Sequence, residues 1–264
     1  MDGALFNRLA ASVRAADPDR YFSALFAPAA LRPLLFALYA FNHDVARVAE
    51  SVREPMLGAI RLEWWRETVE GAANGAPRNH EVAKGLAALF ATGRVSLGDF
   101  ETLIAARSFD SSAGHFADFA ALEEYLDATG GTLMRLATLL LGGDASLSRP
   151  AALAYGLTGL LRSLPFHNGR HKLYLPLDLL SAMHLTPEEF FVLRNDPRLD
   201  AVLHQTMLRA RDHYLAARKM RAGAALPALL PASLVPLYLK RLGRDVPIHR
   251  RQMRLLAASM RKRL

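Results

Sequence analysis

The 264-residue sequence predicts an all-α protein in a single domain. Apolar residues recur three and four positions apart along almost the whole chain, which is the spacing of amphipathic helices. Good helix formers dominate, and alternating runs typical of strands are scarce. Hydrophobic residues make up 52% of the chain, which excludes global disorder and allows one large core. Because no linker, repeat or low-complexity stretch divides residues 1–264, we expect about ten helices in one bundle.

Proline, glycine and capping residues set the expected helix boundaries. Pro18 follows Asp17, an arrangement that begins a helix because aspartate caps it and proline fits its first turn. Gly142 and Gly143 end a long helix, and Pro165 ends another. In chain order the expected helices are Leu31–Ser51, Glu54–Gly71, His80–Thr92, Leu97–Ser108, Phe116–Leu141, Pro150–Leu164, Arg198–Ala222 and Pro247–Leu264. We expect loops at Asn74–Asn79 and Asn168–Pro176.

The positive charge of the chain is concentrated at its C-terminal end. Lys240–Leu264 contains nine basic residues and one acidic residue, and so carries the whole net charge of +8. A basic segment on a neutral body predicts an anionic partner such as lipid headgroups or nucleic acid, and the alternative is a solvated terminal helix. On a helix at about 247–264, one face would carry Ile248, Leu255, Leu256 and Ser259. Arginines flank this face, which favours an anionic membrane surface, and no specific nucleic acid is predicted.

Several function classes are excluded by what the sequence lacks. It contains no cysteine, so disulfides, a cysteine nucleophile and thiolate metal sites are excluded. It has no glycine-rich phosphate loop, dinucleotide fingerprint or serine-hydrolase elbow. The most apolar stretch, Ala228–Leu239, is too short to span a bilayer, and Pro231 and Pro236 interrupt it. With no signal-peptide pattern at the N-terminus, we expect a cytoplasmic location, or peripheral binding at the inner face of a membrane.

Several local strings, in their order and spacing, resemble the squalene and phytoene synthase family. Arg32–Phe41 (RPLLFALYAF) is similar to the first signature helix of that family, and Tyr174–Pro176 (YLP) is similar to the end of the second. Leu157–Arg162 and Tyr125–Gly131 lie where the family has further helices. The resemblance covers most of the chain and implies an isoprenoid-synthase-type helical bundle around a central cavity. Synthases of this family condense two prenyl diphosphates head to head, with two aspartate-rich motifs that share Mg²⁺ ions.

The first of these motifs is degenerate in this sequence. In the family's register its two outer acids fall on Ala46 and Glu50, and a further acid falls on Arg47. Asp44 lies six residues before Glu50, and six residues turn a helix by about 600°, so the two carboxylates diverge. Asp44 is instead spaced for an (i, i+3) ion pair with Arg47.

The second motif has lost all of its acids. They fall on Ser163, Phe166 and His167. The basic residues that remain within eleven positions are Arg162, His167, Arg170, His171 and Lys172. Since arginine and lysine can bind phosphate directly, these residues predict a metal-free site for a diphosphate or another anion, and the alternative is a solvated basic loop. With only Glu50 matched, no cofactor is expected, and Mg²⁺ would be needed only by an active synthase.

Arg162–Asp178 also resembles a non-synthase branch of the family, which is similar to a mitochondrial assembly factor for respiratory complex I. That branch carries an aromatic–histidine pair where synthases carry acids, here Phe166-His167. The resemblance implies a non-catalytic protein with a respiratory-complex assembly client, which could also bind a prenyl diphosphate or lipid. The alternative is an active prenyltransferase acting on farnesyl or geranylgeranyl diphosphate. In either case the family's register places Glu50 and His167 on different helices that face one central space.

Overall fold

Helices and short turns make up the fold of residues 2–52 and 54–264, which this computed structural model describes, and no strand occurs within those ranges. The predicted all-α class is therefore confirmed. The α-helices are α1 (Gly3–Ala16), α2 (Pro18–Ala24), α3 (Arg32–Ala46), α4 (Pro55–Ala73), α5 (Glu81–Phe90), α6 (Leu97–Ala106), α7 (Phe119–Leu126), α8 (Thr132–Leu140), α9 (Ser148–Arg162), α10 (Leu164–Gly169), α11 (Leu177–Ala182), α12 (Pro187–Val192), α13 (Pro197–Arg218), α14 (Leu226–Leu229), α15 (Val235–Leu239) and α16 (Ile248–Met260). Four 3₁₀ segments and one π-helical turn join some of them: Arg107–Ser111, Ala145–Leu147, Gly223–Ala225, Leu230–Leu234 and the π turn Asp127–Gly131.

Side-chain caps explain where several helices begin. The Asp17 side chain accepts a hydrogen bond from the backbone at the start of α2, and Pro18 occupies the first turn, as predicted. Ser96 caps α6 in the same way. Thr186 and Glu189 form a reciprocal capping box at α12. Their side chains accept hydrogen bonds from two backbone N–H groups that have no partner within the helix.

Several predicted helix bounds differ from the observed ones, and the helices expected to end at Ala222 and Leu264 end at Arg218 and Met260. The helix expected to reach Ser51 ends at Ala46 and is followed by tight turns. The helix expected over 116–141 begins at Phe119 and is divided by the π turn that contains Gly130 and Gly131. The helix expected to stop at Pro165 ends at Arg162, just before it, and Pro165 lies in the first turn of the next helix, α10, where its missing N–H is tolerated.

Two buried layers hold the bundle together. In the N-terminal half α3 is the central helix, and its residues 35–41 are all buried. Gly85 on α5 lies so close to α3 that an added Cβ would come within 2.7 Å of the Ala37 side chain. In the C-terminal half the proline-interrupted segment 226–239 is almost wholly buried, which explains its apolar sequence. Its prolines divide it into short helical pieces, so the chain has more helices than the ten expected.

The C-terminal helix α16 is part of this core. Leu255 and Ala258 are buried, and Arg254 donates hydrogen bonds to the Ser233 carbonyl and the Tyr214 hydroxyl. The predicted apolar surface that included Leu255 is therefore wrong. The local sequence pattern did not predict this, because Arg251 and Arg254 point inward and donate hydrogen bonds to acceptors within the protein.

Asp19 is the buried acceptor that joins α16 to the other end of the chain. Its carboxylate is 4% exposed and accepts hydrogen bonds from Tyr155 at 3.1 Å, from Tyr238, and from Arg251 at 2.8 Å. These donors lie on α9, α15 and α16, so one side chain of α2 links four helices. A buried charge that is paired and hydrogen-bonded is tolerated, but either partner alone is strongly unfavourable.

Replacing Asp19 by alanine (Asp19→Ala) should lower the free energy of unfolding by about 3–5 kcal/mol, because the Arg251 guanidinium and two tyrosine hydroxyls would lose their acceptor. Urea denaturation measures this loss. The matched control is Glu81→Ala, whose ion pair with Arg8 is half-exposed and should be worth less than about 1 kcal/mol. Equal effects of the two substitutions would show that Asp19 does not have this role.

Candidate functional site

A cavity of about 390 Å³ lies where the two signature segments meet. Ala46 at the end of α3 and Glu50 in the following turn form one wall, and Phe166 and His167 on α10 form the other. The expectation that Glu50 and His167 face one space is confirmed, but Glu50 lies in the turn after α3 and not on a helix as predicted. The start of α4, the 107–112 segment, Tyr125 of α7 and the loop after α10 complete the lining.

The predicted basic residues fall into two groups. His167, Arg170, His171 and Lys172 line the cavity. Arg162 lies elsewhere, with its guanidinium 3.6 Å from the centre of the Tyr238 ring. The reason is helical rotation, since Leu160 on α9 lines the cavity and two further residues turn the helix by about 200°.

The tight turn after α10 positions Lys172. Its backbone N–H donates to the His167 carbonyl at 3.0 Å, and its ammonium donates to the carbonyls of Phe109 at 2.9 Å and Ser112 at 2.6 Å. The ammonium also lies 4.3 Å from the centre of the Phe109 ring, within cation–π range. Burial lowers the pKa of Lys172, and the nearby Asp110 opposes this effect. The lysine ammonium has three donor hydrogens, and the carbonyls of Phe109 and Ser112 accept hydrogen bonds from two of them.

Asp110 organises the inner end of the cavity and was missed by the sequence analysis. Its carboxylate is buried and accepts hydrogen bonds from the hydroxyls of Tyr125 at 2.5 Å and Tyr174 at 2.8 Å, and from Arg107 at 3.2 Å. Burial, together with the Asp110 charge, raises the pKa of both tyrosines, so their hydroxyls remain donors. The only local signal for this cluster is the three-residue spacing of Arg107 and Asp110.

The carboxylates of the first motif do not converge. Arg47 pairs with Glu50 at 3.7 Å, so the predicted pair of Asp44 with Arg47 is wrong. Glu50 is also three residues from Arg47, so the same spacing allows either pair, and the structure contains the one with Glu50. Asp44 lies in a separate groove beside Trp64 and Trp65, and burial raises its pKa.

These residues do not fit a Mg²⁺ cluster. The acids that line the cavity are Glu50, Glu54 and Asp110, and the Asp110 carboxylate is already engaged by three protein donors. Across residues 2–52 and 54–264, no group of three or more His, Asp or Glu side chains is placed to hold a metal ion. Mg²⁺ requires several hard oxygen ligands in near-octahedral geometry, which this cavity does not offer.

His167 is a partly buried titratable group of the basic wall. Its ring lies 4.7 Å from the Tyr174 ring, and burial lowers its pKa below the usual 6.5, with Arg170 and Lys172 adding to the effect and Asp110 opposing it. Below pH 6.5 the unfolded chain therefore binds a proton that the native histidine does not yet bind. This difference stabilises the unfolded state as the pH falls.

We expect the free energy of unfolding to fall less between pH 7.5 and 5.5 in His167→Gln than in the unmodified protein, since glutamine cannot take up the proton. Urea denaturation at several pH values measures the two slopes. Because the other histidines are common to both proteins, the difference in slope isolates His167. A steeper pH dependence in the variant would contradict the direction of this pKa shift.

The comparisons with known proteins agree with this fold. Residues 13–258 match the squalene/phytoene synthase family model. The human protein named NADH dehydrogenase (ubiquinone) complex I, assembly factor 6 is 27% identical over 240 residues, which cover 88% of this chain and 72% of the relative. The presqualene diphosphate synthase of Rhodopseudomonas palustris is 29% identical over 200 residues, which cover 73% and 70% of the two chains.

Two solved structures share the architecture. A dehydrosqualene synthase in complex with ligand superimposes with a TM-score of 0.80 at 17% identity, covering 98% of this chain and 96% of the other. The squalene synthase HpnC from Alicyclobacillus acidocaldarius gives a TM-score of 0.76 at 18% identity, covering 98% and 94%. At these identities the likeness concerns the fold alone, which is the predicted isoprenoid-synthase-type bundle. The match over residues 13–258 establishes that the chain belongs to the squalene/phytoene synthase family.

Proposed function

We propose that this protein is a non-catalytic member of its family that acts in the assembly of a respiratory complex and holds an anionic ligand without metal. The observation that carries the proposal is the composition of the α10 wall, where no acid stands at the second-motif positions 163, 166 and 167 and where His167, Arg170, His171 and Lys172 line the cavity. The similarity to complex I assembly factor 6 supports the assembly role. The ligand would be a prenyl diphosphate or a lipid phosphate.

The chemistry of the cavity favours direct anion binding. Arg107 is neutralised by Asp110, whereas Arg170 and Lys172 have no carboxylate within ion-pair distance among residues 2–52 and 54–264. Arg170 donates to the Ala49 carbonyl at 3.2 Å, which brings its guanidinium across the cavity toward the α3 wall. Charge-assisted hydrogen bonds from such groups to phosphate oxygens need no bridging ion.

The alternative function is an active head-to-head prenyltransferase. It is favoured by the similarity to presqualene diphosphate synthase and by Glu50, the one acid retained at a matched position. The acids in the cavity argue against this function, because the Asp110 carboxylate already accepts hydrogen bonds from Arg107 and two tyrosines. Without metal ions to stabilise the leaving diphosphate, ionisation of a prenyl diphosphate lacks its main source of catalysis.

With farnesyl or geranylgeranyl diphosphate and Mg²⁺, we expect binding in calorimetry but no condensation product and no diphosphate release. Replacing Mg²⁺ by EDTA should leave the affinity unchanged. Arg170→Ala should weaken binding by about tenfold to a hundredfold, the effect of losing one charge-assisted hydrogen bond. The matched control is Arg162→Ala, since Arg162 lies against Tyr238 and outside the cavity lining. Product formation would establish the prenyltransferase instead, and absence of binding would remove the anion site.

The exposed surface of α16 supports an anionic membrane as a further partner. Met253, Leu256 and Met260 occupy one helical face and are 64%, 42% and 76% exposed. Arg250 and Arg261 flank this face and are also exposed. This surface differs from the predicted one, because Leu255 points into the core. A short apolar face bordered by arginines suits a helix lying on anionic lipid.

Among the helices within residues 2–52 and 54–264, none has the length and apolar character that spanning a membrane requires.

The protein should sediment with vesicles of phosphatidylglycerol and phosphatidylcholine at about 0.1 M salt and much less at about 1 M, where the Debye length falls from about 10 to 3 Å. The double variant Arg250→Glu/Arg261→Glu should abolish sedimentation. Val192→Gln, which removes an exposed apolar side chain elsewhere, should have no effect. Deleting α16 would be uninformative because it removes Arg251 and Leu255 from the core. Unchanged sedimentation of the double variant would exclude α16 as the contact.

A further inference from the structure

A second, larger cavity lies beside the first. It has a volume of about 710 Å³ and is formed between α10, α12 and the beginning of α13. Its lining includes the polar residues Asn168, Arg194, Asn195, Asp196 and Asp200 and the apolar residues Leu164, Phe190, Phe191, Leu199 and Leu203. Of these, only Phe190 is buried, so the groove presents apolar surface to solvent. Contiguous exposed apolar surface of this kind is typical of a ligand groove or an interaction site.

The two cavities meet at His171, which lines both of them. Its ring lies 5.2 Å from the ring of Phe191, on the groove side. The residue follows α10 in the left-handed backbone region, with φ of +50°. Glycine is the usual residue there because a Cβ is strained in this conformation, so a histidine at this turn is an unfavourable local choice. Backbone strain of this sort is tolerated most often where the side chain has a functional role.

We propose that the groove of α10, α12 and α13 holds the apolar chain of a single-chain anionic amphiphile whose headgroup is bound by Arg170, His171 and Lys172. This inference rests on the proposed anion site and adds the path of the chain, which would leave the cavity past His171. The position of His171 argues for this occupant, because this residue lines both the groove and the cationic cavity and so joins apolar side chains to cationic ones. That arrangement matches a molecule with negative charge at one end and a hydrocarbon chain at the other.

The test compares two probes with the same headgroup, inorganic diphosphate and farnesyl diphosphate, by calorimetry in EDTA. The unmodified protein should bind farnesyl diphosphate at least about tenfold more tightly, which requires burial of only a few methylene groups. Leu203→Trp, which fills the groove, should remove that gain and leave the binding of inorganic diphosphate unchanged. Leu199→Gln, which makes the wall polar, should act in the same direction. The matched control is Val192→Trp, since Val192 is 70% exposed and lies outside the groove lining.

The outcomes separate the two proposals. If neither probe binds, the anion site is wrong and the amphiphile proposal falls with it. If both probes bind equally, or if the gain persists in both groove variants, the anion site stands and the chain does not occupy this groove. Thermal midpoints identify any variant that fails to fold. His171→Gly is a further variant for which we expect no loss of folding. It relieves the left-handed strain, so its midpoint should not fall, while its preference for farnesyl diphosphate should decrease.

Discussion

The buried carboxylate of Asp110 holds together the segments that build the cavity. Tyr125 from α7, Tyr174 from the loop after α10, and Arg107 from its own segment all donate to it. The same segment supplies the carbonyls that hold Lys172. The basic loop is thus fastened to a charge-balanced frame, in which the Asp110 carboxylate has three donors, rather than to the acids of a metal site. The position of Lys172 follows from this frame, whereas Arg170 is held by the Ala49 carbonyl.

Asp19 is hydrogen-bonded in the same way as Asp110, but it lies outside the lining of both cavities. The side chains of both aspartates are buried, and each accepts hydrogen bonds from two tyrosines and one arginine. Asp19 joins four helices, and Asp110 joins α7, the loop after α10 and its own segment. In each case the charge is balanced and its oxygens are hydrogen-bonded, which is the condition for keeping a carboxylate away from water. The fold therefore uses its buried acids to connect helices, whereas an enzyme of this architecture would need acids that remain free to bind metal.

The sequence was sufficient to predict the helical class, the central helix α3 and the meeting of Glu50 with His167, because these depend on periodicity and on the order of local strings. It could not predict the partners of Asp19 and Asp110, since the tyrosine and arginine donors lie up to 232 residues away. The inward arginines of α16 follow from the same long-range pairing, and no local pattern distinguishes Arg251 from the exposed Arg250. Arg162 was misplaced for a different reason, since its direction depends on the rotation of α9 about its axis.

The sequence Leu164-Pro165-Phe166-His167 changes the backbone as well as the chemistry of the second motif. Ser163 and His167, the outer positions of that motif, would share one face of an uninterrupted helix. In this structure Ser163 lies between α9 and α10 with ψ of 2°, and Pro165 cannot donate the backbone bond that would join the two helices. The Ser163 carbonyl nevertheless accepts a hydrogen bond from the His167 N–H at 2.9 Å, so positions 163 and 167 still share the first turn of α10. The missing metal face therefore follows from the residues at 163, 166 and 167 and not from the break. The break after α9 begins α10, the short helix that contributes to both the basic cavity and the groove and is followed by the left-handed turn at His171. The proline thus accounts for the short helix on which both cavities are built.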